Sequence, residues 1–240
     1  MSELYEPLRP PAPLREQVYE SLEELILDGR LRSGQRLVES ELAAQLGVSR
    51  GPIREALQHL ERDGWLEVRP RQGTYVREPQ EHELEDYFWA RTLLEVEAAG
   101  RAARRVAVDP EAAEQGVQRL RHLIDTSRQL VAGLPDKASA ELPSEQADRR
   151  RRYRENSRQF HYAVGGLAGS GALVELLEYL GKRTRWYFSS LTYNSRLHEH
   201  EDMLEAIANG DEPRARDLMR QHMDSMSTMS VQAMRERARD

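Results

Sequence analysis

Cysteine is absent from the 240 residues, which excludes disulfide staples, thiolate metal sites and thiol nucleophiles and fits a reducing cytoplasm. Lysine is nearly absent as well. Lys137 and Lys182 are the only two among 35 lysines and arginines, a bias that reflects genome composition rather than mechanism. No run approaches the ~20 consecutive apolar residues that a bilayer crossing needs, so no membrane partner is expected. The opening MSELYEPLRPPAP has neither a basic start nor an apolar centre, so no secretory leader is expected. What is present is charge: 32% charged against 39% hydrophobic residues, with a mean hydropathy of −0.76, describes a soluble and helix-rich chain. The length suits two domains better than one. A net charge of −6 has the wrong sign for a nucleic-acid binder if it is spread evenly, but it is not.

Residues 1–12 are proline-rich and aperiodic and read as a flexible arm. Leu14, Val18, Leu22, Leu25 and Ile26 then form a helical stripe closed by Gly29. A second helix fits Glu39 to Leu46, closed by Gly47. A third runs from Arg50 to about Arg62 on the stripe Ile53, Ala56, Leu57 and Leu60, with Ser49 as N-cap and Pro52 in the first turn. WLEV and GTYV read as two short strands, and Pro70 and Gly73 mark the hairpin tip between them. Three helices and a hairpin make a winged helix-turn-helix over residues 13–78. The remainder, 79–240, reads as an all-α bundle of six or seven helices with a loop over Gly133 to Glu145. The fold class is therefore mainly α.

Between residues 50 and 77, Arg50, Arg54, Arg62, Arg69, Arg71 and Arg77 oppose Glu55, Glu61, Asp63 and Glu67, a local excess of positive charge. Arg50 and Arg54 share a face at the start of the third helix, away from the apolar stripe. There they can reach base edges or phosphates, and Gly51 between them lets the backbone approach closely. Arg69 and Arg71 at the hairpin tip suit a wing laid along a groove or the DNA backbone.

The run GQRLVESELAAQLGVSRGPIREALQHLERDGWLEVRPRQGTYV resembles the DNA-binding domain of the GntR family of bacterial regulators. The resemblance implies that Ser40, Arg50, Gly51 and Arg54 occupy DNA-contacting positions and that Gln72 and Gly73 form the wing tip. Gly51 departs from the threonine common at its position. The resemblance also implies a homodimer that reads a pseudo-palindromic double-stranded operator.

Three of the seven histidines lie on apolar stripes of three different helices. His161 groups with Phe160, Val164 and Leu167, His200 with Met203, Leu204 and Ile207, and His222 with Leu218, Met219 and Met226. Neutral imidazoles aimed into one bundle suit zinc, nickel or a similar divalent metal. His198 reads as a solvent-facing neighbour, and His59 belongs to the first domain. Arg91 is the other outlier, on a stripe with Phe88, Leu94 and Glu95. It is either an internal ion pair with Glu95 or a clamp for a carboxylate effector. Trp186, Tyr187 and Tyr193 are candidate pocket linings.

The phrases NSRQFH, HEHEDMLEAIANGD and ARDLMRQHM resemble the FCD effector-binding domain, the partner of GntR domains in the FadR subfamily. In its metal-binding members an aspartate four residues before the first histidine completes an Asp-His-His-His set. Here His161, His200 and His222 match, and Ser157 stands in the aspartate's place. Three histidines still leave open positions for water or an effector carboxylate. The expectation is a ligand-responsive transcriptional regulator, most simply a repressor, that senses a small organic acid. The competing reading is a metal-dependent hydrolase in the helical domain. Against it, the chain has no HExxH, no Gly-rich phosphate loop and no nucleophile elbow.

Overall fold

The computed structural model describes residues 13–78, 80–134, 143–188 and 196–237. The chain divides into two compact units between Pro79 and Gln80. The arm expected over residues 1–12, Tyr193 and the side chain of Tyr187 lie outside the described residues, as do residues 135–142 of the expected loop.

In the first unit, α1 (Leu14–Leu27) packs on α3 (Arg50–Arg62), and α2 (Glu39–Leu46) braces α3 from the side. Of the α1 stripe, Val18, Leu22 and Ile26 are buried, whereas Leu25 is half-buried and Leu14, at the first turn, is exposed; on α3 all of Ile53, Ala56, Leu57 and Leu60 are buried. The chain leaves α2 through Gly47 at φ 67°, a left-handed conformation that costs glycine nothing.

Three details differ from the sequence reading. Ser49 occupies the N-cap position of α3 in extended conformation, but its hydroxyl makes no capping bond. The third residue of the helix is Pro52, which has no N–H to offer it. Trp65 precedes β2 (Leu66–Arg69) rather than opening it. Its N–H bonds to Leu60 O (2.8 Å) while that of Gly64 bonds to Glu61 O (2.9 Å), so Trp65 belongs to the terminating motif of α3. Finally, a third strand exists. β1 (Arg36–Leu37) pairs antiparallel with β3 (Gly73–Val76), giving the order β1-β3-β2 with Arg36 opposite Tyr75 and Arg69 opposite Gly73. Two residues are too short for any alternation to be read.

The second unit holds six helices and no strand among the described residues. α4 (Glu81–Val108) is the central helix, and α5 (Pro110–Val131), α6 (Ser144–Leu167), α7 (Gly171–Phe188), α8 (Leu197–Ala208) and α9 (Glu212–Arg237) all pack on it. α4 starts with a capping box between Gln80 and Glu83. Asp109 caps α5 by accepting from Ala112 N–H at 3.0 Å. α6 begins at Ser144, inside the stretch expected to be loop, because its first turns are polar and carry no apolar period. Buried Leu84, Phe88, Ala98, Ala99 and Ala102 line α4 within the bundle. The small residues on this central helix let its neighbours approach closely.

Candidate functional site

Two surfaces carry chemistry, one in each unit. In the first unit, Ser40, Ser49, Arg50, Gly51 and Arg54 all lie at or near the surface, on α2 and at the start of α3. Arg54 is forked onto Glu39 of α2, Nε to Oε1 at 3.1 Å and Nη2 to Oε2 at 3.0 Å. Arg69 is tied down in the same way, ion-paired to Glu67 at 2.6 Å with its guanidinium 4.3 Å above the Tyr75 ring.

Arg71 has no such partner among the described residues. It sits at the third position of the turn Arg69–Pro70–Arg71–Gln72, closed by Gln72 N–H to Arg69 O at 3.0 Å. Its φ is +64°, the only positive value among the described non-glycine residues. An L-residue in that conformation is strained, and such strain is common where a side chain has a task. Gln72 and Gly73 complete the exposed tip.

The sequence reading missed Arg36. Its exposed guanidinium lies along the tip, where a Cβ on Gly73 would stand 3.2 Å from Nε, and it has no acidic partner among the described residues. Only the pairing of β1 with β3 brings it there. Among the described residues of this face, Arg36, Arg50 and Arg71 form no ion pair, although Arg50 lies close enough to help lower Glu39, whereas Arg54 and Arg69 are engaged.

In the second unit, α6, α8 and α9 bring His161, His200 and His222 together. One ring nitrogen from each lies within 4.8 Å of the others, and all three residues are buried. His161 donates from Nδ1 to Glu95 Oε2 at 3.0 Å, and His222 donates from Nδ1 to Glu199 Oε2 at 2.5 Å. Both carboxylates are ionised, so the proton is on the ring and the Nε2 lone pair of each histidine is left over. His200 stacks on Phe160 with centroids 4.6 Å apart, and neither of its nitrogens has a hydrogen-bond partner among the described residues. A buried polar atom left unmatched costs about 1–3 kcal/mol, so the donor set is incomplete as it stands.

The electrostatics support lone-pair donors. Burial, then the neighbouring His222 and His161, push the His200 imidazole well below its usual range. Burial takes His222 down to about 4, although the hydrogen bond to Glu199 pulls the other way. Burial alone would raise Glu95, but His161 and Arg91 hold it at about 2.

Arg91 is buried and paired with Glu95, with Nε 3.0 Å and Nη2 2.9 Å from Oε1, and its Nη1 donates to Thr184 Oγ1 at 3.2 Å. Of the two readings of Arg91, the internal ion pair is the one present. Ser157 lies one turn before His161 and is half-buried. The carboxylates near the centre come instead from Glu95 on α4 and Glu199 on α8, and they stand behind the rings. Trp186 is buried near the end of α7. His198 is 74% exposed, and His59 packs on Tyr19 in the first unit. Glu199 and Thr184 went unread. Glu199 directly precedes His200, yet its partner His222 lies on another helix, a pairing no spacing rule reveals.

The family model described as "Bacterial regulatory proteins, gntR family" matches residues 14–76, and that described as "FCD domain" matches residues 86–225. An Nta operon transcriptional regulator of Aminobacter aminovorans is 30% identical over 176 residues, covering 70% of this chain and 72% of its own. An uncharacterized HTH-type transcriptional regulator of Bacillus subtilis, YdhC, is 36% identical over 85 residues, 35% of this chain but only 38% of that relative's length. Among solved structures, one described as a transcriptional regulator GntR from Rhodococcus sp. RHA1 shares the fold with a TM-score of 0.69 at 21% identity, over 91% of this chain and 98% of the other. The matched families and relatives are transcriptional regulators rather than enzymes, and the hydrolase reading draws no support from them.

Proposed function

Because the chain belongs to the GntR family of bacterial transcriptional regulators and carries an FCD domain, we propose that it is a ligand-responsive repressor working in the cytoplasm. α3 enters the major groove of a double-stranded operator and places Arg50 and Gly51 at base edges or phosphates, with Ser40 and Ser49 beside them. Arg54 joins them once it leaves Glu39. Arg71, Gln72, Gly73 and Arg69 follow the backbone or minor groove as the wing. The working form is a homodimer. Trp89 and Leu93, one turn apart on α4, and Leu176 and Tyr179 on α7 are large hydrophobic side chains more than half exposed, as a subunit interface requires.

The helical unit senses a small organic acid at the histidine centre, with Zn, Ni or a similar divalent ion held by His161, His200 and His222. The observation that carries this reading is His200, a buried imidazole with neither nitrogen matched among the described residues, gathered within 4.8 Å of two histidines already oriented by carboxylates. When bound, the metal supplies positive charge and open positions for an effector carboxylate. With Ser157 in place of an aspartate, those positions stay open to solvent or effector.

The test is the elemental content of untagged protein purified without chelators. About one equivalent of zinc or nickel per chain is expected. Protein that stays metal-free after reconstitution overturns the metal reading and leaves the effector to the hydrogen-bonding capacity of the three histidines. The operator reading is tested separately, by electrophoretic shift of the DNA upstream of the gene.

A further inference from the structure

The third strand adds a charge to the wing that neither the helix-turn-helix nor the hairpin turn supplies. Directly opposed residues of antiparallel strands share a face. The register therefore puts Arg36, Tyr75 and Glu67 on one face of the sheet, with Gly73 and Arg69 two residues along on the same side. Leu37, Leu66 and Val76 occupy the other face and are buried, so the Arg36 face is the outward one.

The two arginines on it differ. On the β2 flank, Arg69 is engaged by Glu67 and Tyr75. On the β1 flank, Arg36 is exposed and forms no hydrogen bond or ion pair among the described residues. Its place is nevertheless defined. Nε, Nη2 and Cζ would stand 3.2, 3.5 and 3.8 Å from a Cβ at residue 73, so the guanidinium lies against the bare backbone of Gly73, and a side chain there would compete for the same space. At this level the wing is a strand backbone with one planar cation laid on it.

A thin, positively charged edge suits one part of duplex DNA. The minor groove is about 6 Å wide and narrows further in A·T-rich runs, where its negative potential is enhanced and arginine is drawn in. A guanidinium is also more weakly hydrated than an ammonium. A phosphate, by contrast, is met as well by a cation on any long free side chain and needs no bare glycine beside it.

We infer that Arg36 is a specificity-determining residue that reads an A·T-rich minor groove beside the bases contacted by α3. The inference rests on the operator reading given above. It adds a residue from outside the helix-turn-helix and the class of DNA sequence that this residue selects. Selection comes from groove width and from the absence of the guanine amino group on the floor of an A·T groove.

The probe is the duplex that the full-length protein protects in a footprint of the DNA upstream of its gene. Each adenine is replaced in turn by 2,6-diaminopurine, which adds the minor-groove amino group of guanine and keeps the major-groove N7 and N6 of adenine. In fluorescence anisotropy, wild-type protein should lose about fivefold or more in affinity at flanking positions, the low end of what one base-edge contact discriminates. Arg36→Gln should bind the unmodified duplex more weakly by a similar factor and be indifferent to diaminopurine at those positions. Unchanged thermal unfolding checks the fold, since the residue is exposed on a two-residue strand. Binding by Arg36→Gln as tight as that of wild type overturns the inference. So does a weakened variant that keeps the diaminopurine sensitivity, or a wild type that shows none, because Arg36 then meets only a phosphate. In each of these cases the footprint stands, and the operator reading with it. Protein that protects no DNA overturns the operator reading, and this inference with it.

Discussion

Replacing Arg71 with glycine should move folding and DNA binding in opposite directions. Arg71 sits at φ +64° in a turn whose second residue is Pro70, a position where glycine is the relaxed choice. The left-handed conformation costs an L-residue about 1–2 kcal/mol, and glycine gives back about 0.5–1 kcal/mol through its larger entropy in the unfolded chain. The net gain for Arg71→Gly is roughly 0.5–1 kcal/mol in the hairpin. In native-state hydrogen exchange of the full-length protein, the amides of β2 and β3 should therefore become about two- to fivefold more protected. Meanwhile the wing loses a cation that no carboxylate engages among the described residues. Operator and non-operator DNA should weaken together, and the log–log salt dependence of binding should flatten by about 0.9, the share of one phosphate contact. An unchanged salt slope would remove Arg71 from the DNA backbone. Weaker protection of the strands would mean that the turn is not strained.

Arg54→Ala should weaken operator binding by about tenfold or more, and Glu39→Gln, which removes the fork holding Arg54, should tighten it a few-fold in fluorescence anisotropy. Looser binding on Glu39→Gln would instead make Glu39 the residue that aims Arg54. Glu199→Gln should lower zinc affinity about ten- to a hundredfold in competition with a chromophoric chelator, since Glu199 fixes the His222 tautomer. Unaltered affinity would deny Glu199 that role. Acidification should destabilise the metal-free helical unit in two stages. His222 is held at about 4 against an ordinary 6.5, so the unfolded chain takes up the proton first, and stability falls as pH drops from about 6.5 to 4 by an amount of order 3 kcal/mol. Glu95, held at about 2 against 4.5, contributes stability that is present above 4.5 and lost below it. Thermal melts that are flat between pH 7 and pH 5 would contradict a His222 buried in neutral form.

Features held within one helix or one turn were readable before the structure. The stripe of Ile53, Ala56, Leu57 and Leu60 defines α3, Pro70 and Gly73 bracket the hairpin tip, and each of the three histidines announces itself by sitting among apolar residues of its own helix. Features that depend on distant segments were not. β1 exists only because β3 lies beside it, and Arg36 gains its place at the tip from that pairing. Glu95 reaches His161 across 66 positions and Arg91 reaches Thr184 across 93, so the pattern suggested the Arg91–Glu95 pair but not its extensions. Ser49 shows a local rule meeting a nearer one: a good capping residue makes no cap bond where Pro52 removes one of the two N–H groups it could accept from.

The 28 residues of α4 have a mechanical consequence. The helix runs unbroken from its first turn through Arg91 and Glu95, so a single rod carries both the buried ion pair and the start of the helical unit. Glu95 stands roughly 20 Å along the rod from its first residue at the rise of an α-helix. The carboxylate that orients His161 is therefore fixed to the longest continuous piece of backbone in the unit rather than to a loop.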